Sequence, residues 1–212
     1  MTKSLAFLFS LLVLVSCGKS GGGSASSSKG DAVLAHEVSV GSPVPSAALN
    51  FDVNLKLDNF NAEQEDKVLT AADLIKKVVA SEEFKDAILN HTYNGKKTFV
   101  DNGGKSNAEI YAAIVEGSET LRPGTDNQMD LDLEVFSRND DTVGYTFPTE
   151  IRVWMNAKFL NKNTAAKVTT NMMHEWLHKL GFKHDYEKTA SRAYSVPYAV
   201  GYLVARLAQK HG

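Results

Sequence analysis

His174, His178 and His184 stand at the spacing of metal ligands, with Glu175 directly after the first of them. The stretch reads His174-Glu175-Trp176-Leu177-His178-Lys179-Leu180-Gly181-Phe182-Lys183-His184-Asp185. Two histidines four residues apart share one face of a helix, one turn above the other, so their imidazoles can converge on a single ion. Glu175 points roughly a quarter-turn away, within reach of a water on that ion. Gly181 sits where a left-handed helix cap belongs, and the chain turning back there lets His184 supply a third ligand. Three nitrogen ligands leave the fourth tetrahedral position of Zn2+ open for water, the pattern of a catalytic rather than a structural zinc site. By average residue usage, this combination of types and offsets arises by chance in roughly one protein in 10⁵.

The motif resembles that of the metzincin clan of zinc metallopeptidases, and its Asp185 is similar to the reprolysin-like and snapalysin-like versions. The resemblance implies one catalytic zinc on His174, His178 and His184. It implies Glu175 as general base and acid, and a shallow cleft between an upper and a lower subdomain. Asp185 is then an orienting or loop-securing residue. The segment Gly144-Tyr145-Thr146 resembles the family's edge strand above the cleft, whose free N–H and C=O groups pair with an extended peptide or protein substrate. One departure stands out. Metzincins carry a methionine in a tight turn under the zinc, whereas no methionine follows Met173 here, and Ser195-Val196-Pro197-Tyr198 occupies that place. A valine or proline can fill such a hydrophobic base with different packing. Tyr198 resembles the family tyrosine that binds zinc or stabilises the tetrahedral intermediate, with Tyr194 its competitor in register. Glu187 is the weaker competitor of His184 as third ligand.

The elements that must position these residues follow from periodicity. Residues 165–180 read as a loosely amphipathic helix capped by Asn163 or Thr164. Phe51, Val53, Leu55 and Leu57 alternate with polar residues, as do Met129, Leu131, Leu133 and Val135, which predicts two strands with one buried face each. Residues 142–147 and 151–155 read as two further strands meeting at Pro148. Helices are expected over 62–81, 82–89, 108–116 and 199–210. Helices on one side of a small mixed, twisted sheet make an α+β domain; the order of elements resembles the zincin-like metzincin core. His36, His91 and His211 read as surface or loop histidines, and Trp176 and Leu177 as core.

At 212 residues, with 43% hydrophobic and 23% charged residues, the chain suffices for one domain with a substantial core. A net charge of −2 and scattered lysines argue against a nucleic-acid partner. Lys3 followed by an apolar run of eleven residues, Leu5–Val15, broken only by Ser10, fits a secretory signal and is too short for a permanent span. Leu14-Val15-Ser16-Cys17 resembles the bacterial lipoprotein signal, which implies cleavage before a lipidated Cys17. Several acyl chains would anchor the protein to a membrane stably, where one would not. Cys17 is the only cysteine, so no intramolecular disulfide forms. With Gly18 after it, the bacterial sorting pattern favours the outer over the inner membrane. The expected organisation is a signal peptide over 1–16, a lipidated tether over 17–48 and a metallopeptidase domain over 49–212. Within the tether, Gly18–Gly30 is a Gly/Ser linker of about 20 Å reach, while Val38-Ser39-Val40 reads equally as tether or edge strand. These features together predict a zinc endopeptidase on the cell envelope. The alternative is an envelope protein that binds zinc and captures peptides without cleaving them, against which the intact Glu175 argues.

Overall fold

The structure, a computed structural model, describes residues 36–40 and 50–211. The signal segment, Cys17 and the Gly/Ser linker lie outside the described residues. Within them, five strands and six helices form a mixed α+β domain. In chain order these are β1 (His36–Val40), β2 (Asp52–Asp58), α1 (Ala62–Val79), α2 (Glu82–Leu89), α3 (Asn107–Glu116), β3 (Gln128–Phe136), β4 (Gly144–Thr146), β5 (Arg152–Asn156), α4 (Ala157–Lys162), α5 (Ala165–Lys179) and α6 (Val196–His211). The sheet order is β1-β2-β3-β5-β4, with β2, β3 and β5 parallel and both end strands antiparallel. No described helix is long and apolar enough to cross a membrane.

Strand alternation sorts the two faces of the sheet. Val53, Leu55, Leu57, Met129, Leu131, Leu133, Val153 and Met155 are buried in one core with α1, α5 and α6. The opposite face carries a charged ladder in which Arg152 contacts Asp132 at 2.9 Å and Asp58 at 3.1 Å, and Lys56 contacts Asp132 at 3.2 Å. Helix ends form where side chains satisfy the free backbone groups. Asn61 with Gln64, and Ser106 with Glu109, make reciprocal capping boxes on α1 and α3. Thr164 caps α5 by accepting from the Lys167 N–H.

Several expectations are revised. β1 pairs with β2 from His36↔Leu57 to Val40↔Val53, so of the two readings of Val38-Ser39-Val40 the structure shows the edge strand, ahead of the expected domain start at residue 49. The strand expected over 142–147 is cut to three residues, and α4 and the 3-10 turn Arg192–Tyr194 were not expected. The last helix begins at Val196 rather than Ala199, because a proline is tolerated in a helix's first turn, where its missing N–H is no loss. His91 lies in a loop as expected, half-buried and stacked on Phe99 at 3.9 Å. His211 is exposed.

Candidate metal centre

α5 ends in a way that builds the site. Leu180 caps it, Gly181 takes φ +90°, the Gly181 N–H donates to the His178 carbonyl, and the Phe182 N–H donates to Leu177. This is a Schellman motif, and only its left-handed C′ residue is obliged to be glycine-like. The reversal brings the Phe182 carbonyl to His178 Nδ1 at 2.8 Å. It also returns His184 over the helix, where its Nδ1 donates to the Asp185 carbonyl at 2.9 Å. The carbonyl of Pro197, which can only accept, favours the protonated His174 ring against its burial. The His178 and His184 rings are each fixed by a main-chain acceptor, which sets the tautomer and aims the other nitrogen inward.

The inward nitrogens converge. His174 Nε2 and His184 Nε2 lie 3.2 Å apart, and one nitrogen from each of the three rings falls within 4.8 Å of the others. Two ligands about 2.0–2.1 Å from a tetrahedral Zn2+ stand roughly 3.3 Å from each other. With Nδ1 carrying the ring proton, two neutral imidazoles aim lone pairs at one another across that gap, an arrangement a shared cation relieves. Burial pushes His174 down to about 3 and His178 to about 4, and pulls His184 below its usual range. All three rings are therefore neutral near pH 7, the state in which imidazole binds a metal. The donor set fits Zn2+.

Glu175 is buried beside the centre and accepts from Asn171 Nδ2 at 3.2 Å; burial pushes it up to about 7. The Tyr198 ring packs 4.4 Å from His174 and 4.8 Å from His184, and burial raises its hydroxyl. Tyr194 is instead 45% exposed and packs tilted against Tyr93 at 5.1 Å, so of the two tyrosines it is Tyr198 that lies against the histidines. A cavity of about 730 Å³ opens on the three histidines, Glu175 and Tyr198, and Gly144, Tyr145 and Thr146 form part of its wall. β4 is an end strand of the sheet, so one side of its backbone has no strand neighbour among the described residues. Asp185 serves through its carbonyl, and its side chain is exposed. Val196 and Pro197 are buried at the start of α6, behind His174. Glu187 is exposed and does not line the cavity.

Sequence reasoning missed Asn171, Arg192, Tyr186 and Lys179. Arg192 lies over the Tyr198 ring at 4.7 Å and donates to the Tyr186 carbonyl at 3.2 Å. The four-residue offset of Asn171 from Glu175 was a usable signal for one of them. No known protein family matches the chain, and no curated protein does.

Proposed function

We propose that this protein is a zinc-dependent endopeptidase of metzincin type, anchored to a bacterial cell envelope through a lipidated Cys17. The observation that carries the reading is the convergence of one nitrogen from each of three histidine rings, two of them held by main-chain carbonyls, beside a buried carboxylate and an edge strand. His174, His178 and His184 hold the ion. Bound there, Zn2+ supplies Lewis acidity toward a peptide carbonyl and a water with a pKa of roughly 7.

The remaining work belongs to the chain's own residues. β4 pairs with an extended peptide and presents it along the cavity. Glu175 takes a proton from the attacking water and later returns it to the leaving amine. Burial suits it to both roles, since a carboxyl held near neutrality accepts and releases a proton with little penalty. Tyr198, against His174 and His184, donates a hydrogen bond from its hydroxyl to the oxyanion as charge develops and keeps its proton. The anchoring and the outer-membrane location rest on Leu14-Val15-Ser16-Cys17-Gly18.

The test is the Glu175→Ala variant, assayed for zinc content and for cleavage of unfolded casein. The expected variant keeps about one zinc per chain and loses cleavage by 10³-fold or more, on the order expected for a general base with its positioning role. Retained cleavage refutes the mechanism, and a wild-type protein that binds zinc without cleaving leaves a peptide-capturing protein in its place.

A further inference from the structure

Beside the histidine pair, α5 carries a second line of residues at four-residue spacing: Asn171, Glu175 and Lys179. This line faces β4. All three are buried, at 5%, 5% and 6% exposure, where long polar and charged side chains are rare. Lys179 directs its ammonium to Thr146 Oγ1 and to the carbonyls of Glu150 and Arg152, so its three protons all go to the β4–β5 hairpin. Asn171 works at the other end. Its Nδ2 donates to Glu175 Oε1 at 3.2 Å.

The same carboxamide abuts the edge strand. A Cβ on Gly144 would lie 2.7 Å from Asn171 Oδ1, 2.9 Å from Nδ2 and 2.8 Å from the Trp154 carbonyl, so β4 approaches α5 as closely as backbone allows. Asn171 Oδ1 is buried without a hydrogen-bond partner. That is a cost an apolar side chain of similar size would avoid. The cost is intelligible only if the amide donor facing Glu175 matters.

We propose that Asn171 is a positioning residue that orients the Glu175 carboxylate and holds it in register with Gly144 of the edge strand. One side chain thus sets the base and the substrate-pairing strand relative to each other, with Lys179 securing the far end of the hairpin. The inference rests on the peptidase reading above.

The experiment uses zinc-loaded protein and two probes. Zinc affinity is read by competition with a chromophoric chelator. Acetohydroxamate, a zinc ligand whose N–H and O–H can reach a carboxylate beside the ion, is titrated by calorimetry. Asn171→Leu keeps bulk and removes the donor. It is expected to hold zinc within about twofold of wild type, since no ligand is touched, and to bind acetohydroxamate about 10- to 100-fold more weakly, the worth of one hydrogen bond to a charged group. Casein cleavage should fall in kcat with KM little changed. Unchanged acetohydroxamate affinity at unchanged zinc affinity overturns the positioning role while leaving the peptidase reading intact. Wild-type protein that fails to bind zinc overturns both. Should Asn171→Leu not fold, Gly144→Ala presses on the same carboxamide from the strand side; it too should weaken acetohydroxamate selectively, and an unchanged affinity there overturns the proposal.

Discussion

Trp176 lies on α5 between the first two histidines and is fully buried, with its Nε1 donating to Glu119 Oε1 at 2.6 Å. Glu119 is itself only 5% exposed and takes a second hydrogen bond, at 3.1 Å, from the Asp130 N–H. Trp176→Phe keeps a ring in the core and deletes that donor. Loss of a hydrogen bond to a charged group costs about 1.5–3 kcal/mol, and the space left by the smaller ring about 1 kcal/mol more. The expected loss near pH 8 is therefore about 2.5–4 kcal/mol. The loss depends on pH. Burial raises Glu119 above its ordinary value of 4.5, and the Trp176 and Asp130 donors pull it back down. An acid with a raised folded pKa binds its proton more tightly in the folded state, so its contribution is most favourable at low pH. That contribution is lost as pH rises from the unfolded value through the folded one. Removing Trp176 Nε1 raises Glu119 further and extends the loss to higher pH. The deficit of the variant against wild type should thus be smaller near pH 5 than near pH 8, because the lower pH lies closer to the protonation of Glu119. Urea unfolding of both proteins at the two pH values measures it, and other titrating groups cancel in the subtraction. A deficit equal at both values would refute the assignment of Glu119 as the buried charge that Trp176 supports.

Three further outcomes are expected. His184→Ala should lower zinc affinity by at least about 100-fold by chelator competition, because two histidines do not complete a catalytic zinc site. Lys179→Met removes the side-chain donor to the Glu150 carbonyl and leaves Arg152 with the Thr146 hydroxyl alone, and should cost roughly 1–3 kcal/mol in denaturant unfolding. Gly201→Ala should destabilise even though alanine is favoured in helices by about 1 kcal/mol. A Cβ at Gly201 would lie 2.9 Å from the Thr170 carbonyl of α5, so α6 must move away from the metal helix.

The parts of this molecule legible in the sequence are those whose signal is local. Histidine spacing, the Gly181 cap and the alternation in β2 and β3 depend on residues within a turn or two, and the structure places them as read. The rest depends on residues far apart in the chain. Nothing near Asn171 shows that Gly144 will press against it, and nothing near Val38 shows that β2 will offer it a partner. Lys179 reads as a surface lysine at the end of an amphipathic helix, because the carbonyls that receive it belong to the β4–β5 turn. Tyr194 and Tyr198 could not be separated until the start of α6 was known, since that start decides which of them faces His174.

The His178 and His184 rings lean on the carbonyls of Phe182 and Asp185, and the Pro197 carbonyl acts on His174; every residue type can provide these groups. Point substitutions along residues 182–197 therefore leave those acceptors in place. A one-residue insertion or deletion there shifts an acceptor by up to about 3.8 Å, enough to release a ring. Apart from His184 itself, this segment should tolerate changes of composition better than changes of length, so length is a feature to compare in any relative of this chain.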